Sequence, residues 1–308
     1  MEPFRVHILG CGSAKPTLRH FASSQVVEIR GKLLMIDCAE GTQVQLLRYH
    51  INHTKISSVF ISHLHGDHCF GLIGMICSFG MLGRTAPLHV YAPVALEDML
   101  NRQIDMFCHG LEFQVVFHAI DTTVAQVIYE DRSLTVSTIP LVHRTPCAGF
   151  LFTEKPTLPH IRRDMIDFLH VPVSQIMNIK NGADWMTEEG EVIPNERLVT
   201  PADPVRSYAY CSDTRYLPQL HKLIEGVNLL YHESTYCEDK ILNADKYCHS
   251  TAAQAAMVAR DAHARQLLLG HYSARYNNEE VLLEEARDGG HERDQRDPFR
   301  HRSRDGRR

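Results

Sequence analysis

The chain has 308 residues, a formal net charge of −5, 44% hydrophobic residues and nine cysteines. No apolar run is long enough to span a membrane, and residues 1–5 lack the basic and apolar regions of a secretory signal. The charge disfavours a general nucleic-acid binder, although a local basic patch remains compatible with RNA binding. An odd number of cysteines without a Cys-x-x-Cys pair indicates reduced thiols and predicts a cytoplasmic protein.

Strands and helices alternate through the first half of the sequence. An alternating pattern at residues 4–9 predicts a strand, and residues 26–37 around Gly31 predict a hairpin followed by a helix to Tyr49. Asp37 ends the second hairpin strand, where it either orients a neighbouring side chain or caps the helix. Further strands are expected at 59–61, 88–91, 113–117, 125–129 and 134–139, with helices at 70–82 and 94–107.

The clearest chemical signal follows the short apolar strand at residues 59–61. It is a turn that carries three histidines and an aspartate, namely His63, His65, Asp67 and His68. Imidazole nitrogens and carboxylate oxygens are ligands of divalent zinc, and His63 and His65 project from the same side of an extended backbone. Gly66 lets the chain turn, so the next two ligands approach from another direction. One turn can therefore supply ligand pairs to two neighbouring metal ions.

Four later strands also end in polar residues. These residues are His143, Asp213, Glu233 and His271, and the last three follow predicted strands at 207–211, 227–231 and 266–269. A single histidine in such a place is usually structural. Five polar strand ends in one chain instead predict a site built along one edge of the sheets. His249 precedes an alanine-rich helix at 252–262, which Ser250 or Thr251 is expected to cap.

Two segments depart from this pattern. Residues 153–205 contain six prolines and are predicted to be an insertion beyond the core layers, either functional or a variable surface excursion. Residues 288–308 are highly charged without apolar periodicity, so we expect them to be disordered. A tail of this composition either contacts RNA or is simply solvated.

Together these motifs resemble those of the metallo-β-lactamase superfamily and, within it, of short-form ribonuclease Z. The resemblance covers residues 4 to about 286 and rests on residues 10–13, 16–17, 63–68, 211–214, 232–235, 249–251 and 270–276. It implies an α/β fold, the αββα sandwich of the superfamily, for residues 1–287. Within it, residues 153–205 would be an inserted arm that grips the tRNA.

The resemblance also implies a function and a cofactor. Members of the family remove the 3′ trailer of precursor tRNA, leaving a 3′-hydroxyl on the tRNA and a 5′-phosphate on the trailer. Two zinc ions (Zn²⁺) per subunit would be held, one by His63, His65 and His143 and the other by Asp67, His68 and His271, with Asp213 bridging them. Zinc is expected because residue 65 is an imidazole, where a carboxylate would favour iron. Manganese or iron remains an alternative.

Further roles follow from the same resemblance. Asp67 would orient the nucleophile, and Glu233 with His249 would protonate the departing 3′ oxygen. Precursor tRNA is the expected partner from the activity of the family. A second copy of the chain is also expected, because family members are typically homodimers. Substrate contacts are expected from Pro16, Thr17, Arg19, Lys180 and Arg275.

Two other functions fit parts of the pattern. A same-fold dinuclear hydrolase for a small phosphodiester or sulfate ester would keep the same metal ligands. The insertion and the pairing of Glu233 with His249 favour the tRNA enzyme over it. A non-catalytic RNA-binding scaffold would be expected to have lost ligands, and this chain retains them.

Overall fold

The structure is a computed structural model that describes residues 3–290. Its first sheet has six strands in the order β1-β2-β3-β4-β5-β6. Strands β1 to β3 are antiparallel, and β3 to β6 are parallel. The bounds are β1 Phe4–Gly10, β2 Ser24–Ile29, β3 Lys32–Cys38, β4 Ile56–Phe60, β5 Leu88–Pro93 and β6 Val115–Ile120.

A second six-stranded sheet packs against the first. The remaining strands in chain order are β7 Val127–Glu130, β8 Leu134–Leu141, β9 Cys147–Glu154, β10 His160–Ile161, β11 Trp185–Met186, β12 Val192–Ile193, β13 Val199–Thr200, β14 Ser207–Cys211, β15 Leu229–Glu233 and β16 Leu267–Gly270. The second sheet has the order β16-β15-β14-β9-β8-β7. Strands β14, β15 and β16 are parallel to one another, while β7, β8, β9 and β14 pair in antiparallel fashion.

Helices connect the strands of the two sheets and also lie within residues 153–205. They are α1 Thr42–Arg48, α2 Gly66–Cys69, α3 Leu72–Met81, α4 Glu97–Phe107, α5 Arg163–Phe168, α6 Ile176–Lys180, α7 Asn195–Leu198, α8 Ile241–Tyr247, α9 Ala252–Asp261 and α10 Glu280–Gly290. Short 3₁₀ helices lie at His53–Lys55, Val94–Leu96, Val173–Gln175, Pro218–Leu223 and Glu238–Lys240. Within residues 3–290, no helix is both long and apolar enough to cross a membrane.

Strand periodicity explains the layers. In β3, Leu34 and Ile36 face the second sheet and pack in one cluster with Phe150 and Tyr208. Met35, on the opposite face, belongs to the cluster under α3 and α4. Because alternate residues of a strand point to opposite faces, a strand that is apolar at every position is buried on both sides. The αββα sandwich expected from the sequence is confirmed.

The predicted strand ends needed local correction. Strand β9 was not predicted, and β15 continues through His232 and Glu233, which the sequence placed in a turn. The physical reason is pairing between neighbours, since the full length of β9 is hydrogen-bonded to β8. For the α9 cap, Thr251 accepts from the backbone N of Gln254 at 3.2 Å and completes a capping box.

The C-terminal prediction was partly wrong. Residues 288–290 are helical and end α10, because Leu282 and Ala286 bury that helix against Ala252 and Ala256 of α9. The remainder of the predicted disordered tail, residues 291–308, lies outside the described residues.

The insertion has a small apolar core of its own. Strands β10 to β13 form two two-stranded sheets, and helices α5 to α7 lie between them in the chain. The buried members of its apolar cluster are Ile166, Val171, Ile179, Ile193 and Leu198. The insertion is therefore a folded substructure with its own packing.

Candidate metal centre

The polar strand ends meet at one edge of the sandwich. They are His63 after β4, His143 after β8, Asp213 after β14, Glu233 at the end of β15 and His271 after β16. The parallel register pairs Glu233 with Gly270, so the carboxylate lies beside the residue that precedes His271. Parallel strands of similar length end at the same edge, which is why residues distant in sequence converge here.

A first group of donor atoms comes from His63, His65, His143 and Asp213, within 4.8 Å of one another. Nδ1 of His65 lies 3.0 Å from Nε2 of His63 and 3.3 Å from Nε2 of His143. Oδ1 of Asp213 lies 3.9 Å and 3.8 Å from the same two Nε2 atoms. Ligands of one tetrahedral zinc ion lie about 3.3–3.6 Å apart, so this group fits a single ion.

A second group comes from Asp67, His68 and His271, again within 4.8 Å of one another. Oδ2 of Asp213 lies 3.1 Å from Nε2 of His68 and 3.3 Å from Nε2 of His271. Both Nε2 atoms are buried and have no hydrogen-bond partner among the described residues. Buried nitrogens turned toward carboxylate oxygens are the arrangement that a metal cation would satisfy. Asp213 thus presents one oxygen to each group.

In four of these histidines, the ring nitrogen Nδ1, which does not face the donor group, contacts a neighbouring polar atom. Nδ1 of His143 donates to the carbonyl of Cys248 at 3.0 Å, which leaves Nε2 with a free lone pair. Nδ1 also has a partner in the other three histidines. It lies 3.0 Å from Ser62 Oγ in His63, 2.6 Å from Asp37 Oδ2 in His68 and 2.8 Å from Thr235 Oγ1 in His271. Such partners fix the tautomer and the orientation of metal-binding imidazoles.

Asp37 orients a neighbouring side chain, which decides between the two roles that the sequence left open. Its carboxylate is fully buried and accepts from the backbone N of Ser62 at 2.8 Å, from Ser62 Oγ at 2.9 Å and from Tyr210 Oη at 2.7 Å, besides contacting His68. It does not cap α1, whose N-cap is Gly41. Asp37 therefore ties β3, β4 and β14 together behind the donor groups.

Three residues at this edge adopt the left-handed backbone conformation. The φ angles are 54° for Asp37, 57° for Asp213 and 56° for His271. Each costs about 1–2 kcal/mol for a residue with a Cβ, although Asp and His tolerate this region better than most. Hydrogen bonds of the surrounding side chains stabilise this conformation. The side chains of Asp213 and His271 belong to the donor groups, whereas that of Asp37 contacts Nδ1 of His68.

Burial and neighbouring charges set the protonation of the donors. Burial alone would raise the pKa of the Asp213 carboxyl, but His271, His68 and His63 hold that pKa well below its ordinary range. Burial, together with His68, lowers the pKa of His63 well below its usual value. For His68, burial lowers the pKa, yet the carboxylates of Asp213 and Asp37 raise it well above the ordinary value. The site thus combines ionised carboxylates with a neutral His63.

Glu233 and His249 form a buried pair beside the donor groups. Nδ1 of His249 lies 2.9 Å from Oε1 and 3.1 Å from Oε2 of Glu233. Glu233 also accepts from the backbone N of Thr214 and from Thr235 Oγ1, both at 2.6 Å. Burial would lower the pKa of His249, but Glu233 raises it to about 9. An imidazole so held keeps its proton at neutral pH.

Known proteins share this sequence over nearly its whole length. The family model described as "Anti-Pycsar protein Apyc1" matches residues 4–158. The ribonuclease Z of Bacteroides fragilis is 56% identical over 286 residues, which are 93% of this chain and 94% of that protein. The ribonuclease Z of Porphyromonas gingivalis is 48% identical, with the same coverage. The chain belongs to the ribonuclease Z family.

Solved structures agree with this membership in ribonuclease Z. The crystal structure of human tRNase Z, short form, has a TM-score of 0.67 at 27% identity and covers 89% of this chain and 94% of that one. The metallo-β-lactamase fold protein YhfI of Bacillus subtilis has a TM-score of 0.65 at 18% identity, covers 93% of each chain and shows the fold alone. The donor groups of this ribonuclease Z family member can hold metal, as the fold leads one to expect.

An open cleft of about 340 Å³ leads to the donor groups. Asp67, Asp213, His249 and His271 line it, and Ala14 contributes a backbone N that donates to Oδ2 of Asp67 at 2.7 Å. Three of the larger lining side chains were not identified from the sequence: Glu40, Phe70 and Arg144. The signal for Arg144 was present in its position directly after His143, whereas Glu40 and Phe70 carry no motif of their own.

The predicted substrate-binding residues are scattered. Pro16 lines the cleft, while the hydroxyl of Thr17 is occupied within its own turn by the backbone of residues 19 and 20. Arg19 pairs with Glu279, and the Arg275 guanidinium lies 5.1 Å from the centroid of the Tyr236 ring. Lys180 lines a separate cleft of about 590 Å³, beside the strand ends opposite to the donor groups.

Proposed function

We propose that the protein is a zinc-dependent endoribonuclease that removes the 3′ trailer of precursor tRNA. The products would be a 3′-hydroxyl on the tRNA and a 5′-phosphate on the trailer. The observation that carries the proposal is the sharing of Asp213 by two donor groups at an open cleft, in a chain 56% identical to a ribonuclease Z. A cleft open to solvent can admit a macromolecule, and the donors His65, Asp67 and His143 are partly exposed where they line it.

Two zinc ions are the proposed cofactors. His63, His65 and His143 would hold one ion, Asp67, His68 and His271 the other, and Asp213 would bridge them. When bound, the ions would act as Lewis acids on the phosphodiester and make water nucleophilic at neutral pH. The three imidazole nitrogens of the first group favour zinc over magnesium or calcium, which prefer oxygen ligands.

Asp67 and the pair of Glu233 and His249 are the proposed catalytic residues. The backbone N of Ala14 holds Oδ2 of Asp67, so the carboxylate is positioned to orient the attacking water. Glu233 would keep His249 protonated and hold its ring in place, and His249 would give its proton to the departing 3′ oxygen. His249 also lies near Asp213 and His271. We assign it as the acid because its Nδ1 is committed to Glu233.

The wider assignments complete the proposal. Residues 1–287 would form the hydrolase domain, with 153–205 as the arm that grips the tRNA. A homodimer is supported by exposed apolar side chains on α1 and after α3, namely Val44, Leu47 and Leu82. Nine unpaired cysteines support a cytoplasmic location. Pro16, Thr17, Arg19, Lys180 and Arg275 remain proposed tRNA contacts.

The test is cleavage of a 3′-extended precursor tRNA by the purified protein, with zinc and with a chelator, beside Asp67→Ala. We expect one metal-dependent cut near the discriminator base, lost in the variant. Metal-dependent turnover of a simple phosphodiester or sulfate ester without any cut in precursor tRNA would overturn the substrate. Binding of precursor tRNA with no hydrolysis of any ester would instead indicate a scaffold.

A further inference from the structure

Phe70 is an exposed aromatic side chain at the mouth of the catalytic cleft. It lies directly after α2, three residues beyond Asp67, and 64% of its surface is exposed. Isolated apolar residues are common on protein surfaces, so exposure by itself indicates nothing. What distinguishes Phe70 is its place: among residues 3–290, it is the one Phe, Tyr or Trp whose side chain lines this cleft.

The ring is held against the turn that carries the donors. A Cβ built on Gly66 would lie 2.3 Å from Cε2 of Phe70 and 2.6 Å from its Cδ2 and Cζ. The ring therefore packs on the backbone between His65, a donor of the first group, and Asp67, a donor of the second. Only glycine fits at position 66 beneath a ring so placed. One edge of the ring lies on this backbone, and its exposed surface is available to a ligand.

A flat apolar ring beside a phosphodiester-cleaving site suits one ligand chemistry. Single-stranded RNA is recognised largely by stacking of unpaired bases on aromatic side chains, which tolerates any base because every base has a π face. The phosphate that reacts must lie at the donor groups, and its two neighbouring bases then lie within reach of the cleft mouth. Glu40, which also lines the cleft, adds no attraction for phosphate, so a base is the better occupant of this side.

We propose that Phe70 is a stacking platform for a nucleobase that flanks the scissile phosphate, and that it positions the 3′ end of the precursor for cleavage. This inference rests on the proposed function. The platform is indifferent to base identity but requires a base, so it selects an unpaired nucleotide at the cut. It acts on the substrate directly.

The experiment compares Phe70→Leu, which keeps apolar volume over Gly66 but loses the flat face, with Phe70→Trp, which keeps the face. We expect kcat/KM on precursor tRNA to fall roughly 5- to 100-fold in Phe70→Leu and to stay near wild type in Phe70→Trp. Phe107→Leu is the matched control, since Phe107 is similarly exposed (61%) at the end of α4 and does not line the cleft.

Abasic substrates separate stacking from simple packing. Two abasic precursors are compared, one without the discriminator base and one without the first trailer base. The wild type should cut more slowly the precursor that lacks the base stacked on Phe70. On that precursor, Phe70→Leu should cause no further loss of rate. An equal loss in Phe70→Leu on intact and on both abasic substrates would overturn the proposal, and so would unchanged rates. If the wild type cuts no precursor at all, the proposed function itself fails, which this comparison reveals at once.

Discussion

Nδ1 of His249 lies within 3.1 Å of both carboxylate oxygens of Glu233, in a pair that is almost fully buried. Thr214 and Thr235 occupy the remaining capacity of the carboxylate, so Glu233 cannot turn away from the imidazole. The arrangement keeps a proton on Nδ1 of His249, where it is shared with the Glu233 carboxylate. It supports the proposed role of His249 as the acid, through which the pH of the solution would act on leaving-group departure.

Glu233→Gln should move the alkaline limb of the rate profile to lower pH. The carboxylate raises the pKa of His249 to about 9 against the opposing effect of burial, so the acid is protonated below that pH and lost above it. Without the negative charge, deprotonation begins at a lower pH. The profile of kcat for the zinc-loaded enzyme on precursor tRNA measures this. An unshifted alkaline limb would show that another group supplies the proton.

His249→Ala should slow trailer removal about 10²- to 10⁴-fold, the usual contribution of a general acid. The loss should be much smaller for a phosphodiester with a nitrophenolate leaving group, because that group departs without a proton. His109→Ala is the matched control, since His109 is exposed and lies outside the cleft. Equal losses on both substrates would instead indicate a role in metal binding.

Asp213→Asn should lower the zinc content of the purified protein to less than half of the wild-type content. Asp213 presents Oδ1 to the first donor group and Oδ2 to the second, and a neutral amide removes the shared charge from both. The content is measured by elemental analysis after gel filtration. Asp203→Asn, at a carboxylate paired with His160 in the insertion, should retain the wild-type content.

Asp37→Asn should weaken zinc binding about 10- to 100-fold while leaving turnover near normal at saturating zinc. The carboxylate contacts Nδ1 of His68 at 2.6 Å, so it would orient a proposed ligand without binding metal itself. Titration against a competing chelator gives the affinity, and activity at high zinc gives the second readout. A loss of turnover that zinc does not restore would contradict this role.

Glu154→Gln should lower the free energy of unfolding by about 2 kcal/mol at pH 7, the scale of charged hydrogen bonds. Glu154 is buried at the end of β9 and accepts from Arg206 Nε at 2.8 Å and from its terminal nitrogen at 2.7 Å. Glu130→Gln is the control, because its pair with Lys155 is exposed and should contribute little. Urea unfolding of both variants provides the comparison.

The same pair predicts the pH dependence of this difference. Burial opposes ionisation of Glu154, but Arg206 lowers its pKa below the ordinary 4.5. The stabilisation is therefore complete above pH 4.5 and is lost as the pH falls through the lower value in the folded protein. The gap between wild type and Glu154→Gln should close in acid. A gap that widens with acidity would contradict the assignment.

Many residues of the candidate site could be predicted from local sequence patterns. The turn from His63 to His68 could be interpreted directly, because ligand spacing within six residues depends on the backbone alone. The strand ends at His143, Asp213 and His271 were also predicted, because an apolar strand followed by a polar residue is a short-range signal. The alternation of strands and helices was also predicted from local patterns, whereas the αββα sandwich was expected only from the resemblance to the metallo-β-lactamase superfamily.

Other features depended on contacts between distant segments. Asp37 could be assigned only when Ser62, His68 and Tyr210 were brought around it, at separations of 25, 31 and 173 residues. The placing of Phe70 over Gly66, and the distance of Lys180 from the cleft, are likewise properties of packing. The sequence by itself determined which residues can bind metal, because ligand chemistry belongs to side chains. The tertiary structure decided which of them meet, because register and packing set the distances between strands.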